Sequence, residues 1–375
     1  MIKKKVNKVK QTIQEFLDLA GIKINGENPY DIKVHNTQFY SRVLSGGSLA
    51  MGESYMDGWW DVEKLDEFIG RLLSVKLDQK VITPRHVASI ISSRVFNMQT
   101  FSKSKKVAEL HYDLSNDFYE KMLDKQMQYT CGYWKNAKNL EEAQEHKLNL
   151  ICRKLQLKPN EKVLELGNGW GGLSKYMSEK YGCHVTAYNI SKEQVKYGRE
   201  KCKDLPVEII EKDYRFAKGT FDKVVSIGLC EHVGYKNYKA LMKLVHKCLK
   251  KNGLFLMHTI GKDISVTSIN PWIHKYIFPN SMIPSVKQIS TAAEGCFIME
   301  DWHNFGADYD KTLMAWHNNF KKNWHFFKEA YGERFYRMWE FYLLSCAGLF
   351  RARQAQLWQI VFSKDGLPKG YESVR

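Results

Sequence analysis

The first twenty residues carry apolar side chains at the spacing of a helix, with lysines on the other face. The apolar positions are Val6, Val9, Ile13, Phe16, Leu17 and Ala20. This spacing predicts a basic amphipathic helix over 6–20. Such a helix can lie on a membrane surface. A helix packed against its own domain has the same pattern, and the sequence leaves both interpretations open.

Further along the chain, short apolar runs alternate with helical patterns, which is typical of a parallel α/β sheet. The runs predict strands at 162–166, 184–188, 207–210, 221–227, 253–258 and 357–362. Helices are predicted around 173–179 and from Ser191, and two long, aromatic-rich helices after Met299. The predicted fold class is therefore α/β.

The length of 375 residues favours two domains. The pattern weakens from Thr83 and becomes polar and basic, ending in Phe101-Ser-Lys-Ser-Lys-Lys106. Such a composition is typical of a linker. We predict a smaller, mainly helical N-terminal domain at 1–98, a linker at 99–110 and a larger α/β domain at 111–375.

The charge of the chain narrows the classes of partner. The formal net charge of +16 attracts phosphate, whether on nucleic acid or on an anionic membrane, and charge alone does not separate the two. No apolar run approaches the roughly 18 to 20 residues that a spanning helix requires, so we expect a soluble or peripheral protein. The eight cysteines are scattered without a CxxC pair, which indicates reduced thiols in the cytoplasm and no metal site.

A glycine loop follows the first predicted strand of the larger domain. Gly167, Gly169 and Gly171 stand between that strand and the next helix. Glycines let the backbone approach a ligand closely, and a helix N-terminus favours a negative group. A dinucleotide loop has two residues between its second and third glycines, but here Trp170 stands alone. The spacing therefore favours adenosylmethionine over a pyrophosphate.

Several longer motifs resemble the cyclopropane-fatty-acid synthase family. They lie at 129–134, 166–172, 191–194, 227–234, 258–261, 271–279, 301–309 and 346–351. The segment 52–60 resembles the phospholipid-acting branch of that family. The resemblance implies a Rossmann-like class I methyltransferase sheet with a smaller N-terminal domain. The domain at 1–98 would then be associated with lipid or membrane, and 111–375 would be catalytic.

The same resemblance implies the reaction. A methylene group passes from S-adenosyl-L-methionine to the cis double bond of an unsaturated phospholipid acyl chain, through a carbocation that bound bicarbonate deprotonates, and a cyclopropane fatty acid forms. The implied partner is an anionic phospholipid bilayer, contacted peripherally at the cytoplasmic face, with no nucleic acid; a homodimer is compatible with the family.

The cofactor site implied by the resemblance spans several motifs. Tyr129 and Thr130 would lie beside the methionine part, and Asn189 and Gln194 would face the ribose. The remaining implied residues are Gly167, Asn168, Gly169 and Gly171 in the loop, and Asp213 and Tyr214 near the adenine. Two residues depart from the family pattern: Asn168 replaces the usual cysteine, and Glu165 the usual aspartate.

The implied catalytic group holds bicarbonate. Its members are Cys131, Glu231, His258, Ile260 (through its backbone) and Tyr309. His258 and backbone N–H groups can donate to an anion, and Glu231 can accept the bicarbonate hydroxyl and raise its basicity. From the residues alone, Glu231 could instead cap a helix and His258 could be a packed core residue.

Cys346 is a further catalytic candidate, although its helical neighbours Phe335, Trp339 and Tyr342 favour a buried, inert thiol. The aromatic side chains Trp272, Tyr276 and Phe278 are candidates for the wall of an acyl channel. Three rival functions stay open. They are a nucleic-acid methyltransferase, a lipid-binding protein with a decayed cofactor loop, and a relative that forms methyl branches without closing the ring.

Overall fold

The structure is a computed structural model that describes residues 2–76 and 114–375, with side chains from residue 7 onward. The predicted linker at 99–110 and the end of the predicted N-terminal domain lie outside the described residues. The helices are α1 Ile2–Asp18, α2 Gln38–Met56, α3 Leu65–Ser74, α4 Asn116–Met122, α5 Leu140–Lys154, α6 Gly172–Tyr181, α7 Lys192–Lys201, α8 Cys230–Val233, α9 Tyr238–Cys248, α10 Pro271–Tyr276, α11 Val286–Ala293, α12 Ala307–Asn323 and α13 Lys328–Arg351. The strands are β1 Lys33–Val34, β2 Trp60–Asp61, β3 Lys162–Leu166, β4 His184–Asn189, β5 Val207–Glu211, β6 Phe221–Ile227, β7 Leu249–Gly261, β8 Ile298–Asn304 and β9 Gln356–Ser363.

Seven strands form one sheet in the order β5-β4-β3-β6-β7-β9-β8. The strands from β5 to β7 are parallel, and β9 runs antiparallel between β7 and β8. This confirms the predicted α/β class, and all six predicted strands are in the sheet. Strand β8 was missed, so the prediction of helices directly after Met299 is wrong by one element. Among the described strands it pairs with β9 alone, and its polar residues Glu300, Asp301 and His303 hide the strand pattern.

The sheet is covered by helices on both faces because its central strands are apolar on both. Val163 and Leu256 contact a cluster that includes Leu148 of α5 and Met177 of α6. Leu164, Phe255 and Met257, which point the other way, contact Leu241 of α9 and Ile289 of α11. The result is a three-layer α/β arrangement.

Two compact units divide the chain, and each is discontinuous in sequence. The first comprises 1–96, 267–279 and 309–355, and the second, which holds the sheet, comprises 97–266, 280–308 and 356–375. This differs from the prediction of one uninterrupted domain over 111–375. The reason is close helix packing inside the first unit, where a Cβ on Gly348 of α13 would lie 2.6 Å from the carbonyl oxygen of Asp66.

Helix α1 packs within the first unit. Ile13, Leu17 and Ala20 are buried, whereas Lys8 and Lys10 are exposed. The described side chains of its apolar face therefore favour the packed helix over the membrane-lying one. None of the described helices combines the length and the apolar character needed to cross a membrane.

Candidate active site

The carboxyl ends of the parallel strands bring most of the predicted residues to one edge of the sheet. The glycine loop follows β3, Asn189 ends β4, Asp213 follows β5, and Glu231 follows β6 in α8. His258 and Ile260 lie near the end of β7. This is the edge where ligands bind in open α/β sheets. Tyr309 and Cys346 belong to the other compact unit.

The glycine loop has a backbone that other residues adopt rarely. Gly167 and Gly169 have φ angles of 81° and 52°, in the left-handed region. A Cβ built on Gly169 would meet no described atom within 4 Å. The backbone at Gly169 is therefore open to a ligand.

Asn168 is a buried polar residue of the glycine loop. Only 5 % of its surface is exposed. Neither its Oδ1 nor its Nδ2 has a hydrogen-bond partner among the residues that the structure describes. An unpaired buried polar group costs roughly 1 to 3 kcal/mol, so this amide suits a polar ligand in the loop. Adenosylmethionine, with its ribose hydroxyls and carboxylate, fits that requirement.

Asn189 ties the end of β4 to the loop. Its Nδ2 donates to the carbonyl oxygen of Gly169 and to Oε1 of Gln194, at 3.0 Å each. Its Oδ1 accepts from the backbone N–H of Ser191 at 3.1 Å. These bonds hold the loop in position beside the strand, so Asn189 supports the ligand-facing backbone as well as bordering the site.

Asp213 and Tyr214 begin a short 3₁₀ helix after β5. The Asp213 carboxylate accepts from the backbone N–H of Arg215 at 2.9 Å and from its guanidinium at 3.0 Å. Burial raises the pKa of Tyr214 to about 12, so its hydroxyl stays protonated. A neutral aromatic ring beside the loop can stack on a flat base.

A buried lysine supports the segment with Tyr129 and Thr130. Lys147 Nζ donates to Oε1 of Gln128 at 2.5 Å and to Oγ1 of Thr130 at 3.0 Å. Gln144, one turn earlier on α5, donates to the carbonyl oxygen of Thr130 at 2.8 Å. Because Thr130 Oγ1 accepts from the ammonium, its own hydroxyl hydrogen can donate elsewhere. Burial lowers the pKa of Lys147 to about 8.

Glu165, which departs from the family pattern, lies under the loop. Its carboxylate accepts from the hydroxyl of Ser174. Burial raises its pKa to about 7, although Lys147 acts in the opposite direction. The longer side chain is therefore accommodated inside the domain by α6, and it leaves the backbone of the loop in place.

Glu231 presents one carboxylate oxygen to the site. Its Oε1 accepts from the backbone N–H of Ile260 at 2.8 Å. Its Oε2 is buried and has no hydrogen bond within residues 7–76 and 114–375. Burial raises the pKa of this carboxyl to about 6. The Ile260 N–H, predicted to donate to an anion, donates to Glu231 instead, because the short helix α8 brings the carboxylate over the end of β7.

His258 presents one ring nitrogen. Its Nδ1 is 3.3 Å from Nε2 of Gln359 on β9. Its Nε2 is buried and unpaired in the described part of the chain. Burial, reinforced by Lys147 and Lys154, holds the pKa of His258 well below its usual range, so the ring is neutral. Oε2 of Glu231 and Nε2 of His258, neither of which has a partner among the described residues, fit a small anion that carries a hydroxyl, such as bicarbonate.

Of the remaining predicted residues, Cys131 and Tyr309 are buried and Cys346 is half-buried. Cys131 is fully buried in the second unit. Tyr309, in the first unit, has its ring centroid 4.5 Å from that of Phe350. Burial raises the pKa of Cys346 to about 12, so its thiol stays protonated. A protonated thiol is a poor nucleophile, which favours the inert interpretation of Cys346.

Sequence reasoning missed Gln144, Lys147 and Gln359. The first two interrupt the apolar stripe of α5, which also carries Leu148 and Ile151. Gln359 is an amide in the middle of the apolar run of β9. A polar residue at a position that the periodicity makes buried is the signal that could have identified each of them.

The chain is similar to known proteins over most of its length. The family model described as mycolic acid cyclopropane synthetase matches residues 99–360. A cyclopropane-fatty-acyl-phospholipid synthase of Escherichia coli (strain K12) is 50% identical over 364 residues, covering 96% of this chain and 94% of that protein. A probable fatty acid methyltransferase of Pseudomonas putida is 34% identical over 270 residues, covering 68% of each chain.

Solved structures share the fold. The mycolic acid cyclopropane synthase CmaA1, complexed with SAH and CTAB, is 27% identical. Its TM-score is 0.65, and the match covers 69% of this chain and 98% of that one. The cyclopropane synthase MmaA2 of Mycobacterium tuberculosis gives a TM-score of 0.66 at 24% identity, covering 72% of this chain and 100% of that one. The second likeness concerns the fold alone.

Proposed function

The chain belongs to the mycolic acid cyclopropane synthetase family and is an S-adenosylmethionine-dependent methyltransferase, and on that premise we propose that it acts on phospholipid. The proposed reaction transfers a methylene group to the cis double bond of an unsaturated acyl chain and closes a cyclopropane ring. The observation that carries this proposal is the 50% identity to the Escherichia coli phospholipid enzyme, which extends over 96% of the chain.

The glycine loop and its surroundings are the proposed cofactor site. Adenosylmethionine supplies an electrophilic methyl group when bound, which an alkene needs because it is a poor nucleophile. Gly169 offers an open backbone, and Asn168 offers an unpaired amide within the described chain. Thr130, whose oxygen accepts from Lys147, can donate its hydroxyl hydrogen to a carboxylate. Tyr214 provides a neutral ring for the base.

Glu231 and His258 are the proposed holders of a bicarbonate ion. Oε2 of Glu231 would accept the hydroxyl hydrogen, and Nε2 of His258 would donate to a charged oxygen. Ile260 acts on the anion through Glu231, whose carboxylate it orients. Bicarbonate would supply a base that removes a proton from the transferred methyl group and does not itself attack the carbocation on the acyl chain. Cys131, Tyr309 and Cys346 remain predictions from the resemblance.

The proposed partner is an anionic bilayer at the cytoplasmic face. Ile264 and Val286 have exposed fractions of 49 % and 44 %. Their segments are joined by a 2.7 Å hydrogen bond between the hydroxyls of Ser265 and Ser285. The flanking residues are Lys262, Asp263 and Lys287. A small apolar surface with adjacent lysines suits phospholipid headgroups.

The same surface is close to the site. The backbone N–H of Met282, in the segment before Val286, donates to the carbonyl oxygen of Glu231 at 2.7 Å. Lys262 is two residues from Ile260 on the same chain segment. An acyl chain leaving a bilayer at this surface would therefore have a short path to the carboxyl edge of the sheet.

The test is product analysis. The purified protein is incubated with labelled adenosylmethionine and vesicles of unsaturated phospholipid, with and without added bicarbonate, and the fatty acids are analysed by mass spectrometry. We expect label in a cyclopropane acid, and more of it with bicarbonate. A methyl-branched acid, or label in added RNA with none in lipid, would each point to a rival function.

A further inference from the structure

We propose that Gln359 is a positioning residue that keeps the proton of His258 on Nε2, the form that can donate to a bound anion. The proposal rests on the proposed function insofar as the anion is bicarbonate. Gln359 is not among the site residues that the family resemblance implied, and its strand β9 carries none of them.

The sheet register brings the two side chains together. Gln359 of β9 is the direct antiparallel partner of His258 of β7, so the two side chains stand on the same face. Gln359 is fully buried, and His258 is 1 % exposed. Side chains in such a position have little freedom to exchange partners, so the amide is a fixed neighbour of the ring.

The direction of the hydrogen bond determines the tautomer. An amide nitrogen donates and does not accept, so Nε2 of Gln359 donates to Nδ1 of His258 across 3.3 Å. A neutral imidazole carries one proton, and an accepting Nδ1 places that proton on Nε2. This is the nitrogen that is buried without a partner from any described residue.

Burial and nearby charge keep the imidazole neutral. The buried ammonium groups of Lys147 and Lys154 disfavour an imidazolium at His258. The neutral ring therefore offers an N–H donor, and it does not transfer a proton to the anion. A rotated Gln359 amide would have the opposite effect, because its oxygen would accept from Nδ1–H and Nε2 would then present a lone pair to the anion.

The first experiment reads the tautomer directly, by ¹⁵N NMR of histidine-labelled full-length protein, with His258→Asn to assign the signals. We expect a protonated Nε2 in the wild type. Gln359→Met, which lacks the amide but keeps the length of the chain, should give a mixture of tautomers. Gln359→Glu should move the proton to Nδ1, because a carboxylate accepts. A protonated Nδ1 in the wild type overturns the proposal.

The second experiment measures the bicarbonate concentration that gives half-maximal activation. Gln359→Met should raise it about 3- to 10-fold, as expected for one hydrogen bond, while the KM for adenosylmethionine stays unchanged. Gln356→Met, on the same strand, is the control and should change neither value. An unchanged half-activating concentration in Gln359→Met overturns the proposal. If bicarbonate does not change the activity of the wild type, the proposed function of bicarbonate as the base is contradicted instead. The NMR experiment then still tests the tautomer of His258 separately.

Discussion

The backbone N–H of Ile260 donates to one carboxylate oxygen of Glu231 over 2.8 Å, and the other oxygen of that carboxylate stays buried and unpaired among the described residues. One bond fixes the orientation of the group, and the second oxygen is left to accept a hydrogen from a ligand. In the proposed function, this division of roles lets a carboxylate hold an anion, because Oε2 would accept the hydroxyl hydrogen of bicarbonate rather than face its charged oxygens.

Replacing Glu231 with Gln should abolish most turnover while the fold and cofactor binding persist. The amide can still accept from Ile260, but the group that replaces Oε2 is a donor and cannot receive a hydroxyl hydrogen. We expect kcat to fall roughly 10²- to 10⁴-fold, as for loss of a positioned acid or base group. Steady-state kinetics and calorimetric titration with adenosylmethionine test this. Near wild-type turnover in the purified variant would contradict the assignment.

The activity should have an acid limb near the pKa of Glu231. Burial raises that pKa to about 6, and the backbone N–H of Ile260 and the neighbouring Thr259 hydroxyl act in the opposite direction. The carboxylate is the active form, so activity is lost as the pH falls through about 6. Thr259→Val removes one group that lowers the pKa, so its acid limb should move to higher pH.

Comparing the wild type with Thr259→Val separates the titration of the Glu231 carboxyl from that of bicarbonate, because bicarbonate titrates identically in both assays. The measurement is kcat/KM against pH at a fixed total concentration of bicarbonate. Identical limbs for the wild type and Thr259→Val would show that a group other than Glu231 controls the acid side.

Replacing Asn168 with Cys separates stability from binding. The buried amide has no described partner in the loop, so the smaller thiol should stabilise the ligand-free protein by about 1 kcal/mol. Adenosylmethionine binding should weaken, because the Asn168 amide is one of the groups proposed to face the cofactor and a thiol is a weak hydrogen-bonding group. Denaturant unfolding and calorimetric titration measure the two quantities. A gain in stability with unchanged binding would show that the loop backbone, and not the Asn168 amide, holds the cofactor.

The parts of the fold that could be predicted are those with local causes. Strands such as Lys162–Leu166 and Phe221–Ile227 are apolar because helices cover both faces, and their bounds follow from the sequence. The edge strand Ile298–Asn304 has one neighbour and a polar sequence, so no local pattern identifies it. The bond between Gln359 and His258 depends on the register of β9, which only the assembled sheet defines.

The assignment of helices to the two compact units also depends on contacts that the local sequence does not reveal. Gly70 of α3 and Gly348 of α13 allow close approach of two helices that are distant in sequence. Neither glycine has a local role that marks it as a contact, and each is an unfavourable residue inside a helix. The sequence predicted the helical region of α13 but no helix at Leu65–Ser74, and it could not assign α13 to the unit that holds the N-terminal residues.

Binding to vesicles should have a charged part that salt weakens and an apolar part that salt leaves intact. Each basic residue near an anionic surface contributes about 1 kcal/mol, and this effect decays over a Debye length of roughly 8 to 10 Å. The apolar face of α1 is packed within its own unit at Ile13 and Leu17. We therefore place the apolar part at Ile264 and Val286 rather than at the N-terminal helix.

Two double variants separate these parts in sedimentation with anionic and neutral vesicles at low and high salt. Lys262→Gln with Lys287→Gln should weaken binding mainly at low salt, where charge attraction is least screened. Ile264→Ser with Val286→Ser should remove the fraction that survives high salt, since that fraction depends on buried apolar area. Ile298→Ser, with an exposed fraction of 51 % on the edge strand, is the matched control and should bind as the wild type does. Equal binding to neutral and anionic vesicles at every salt concentration would show that charge is not an anchor, because an electrostatic contribution must depend on both.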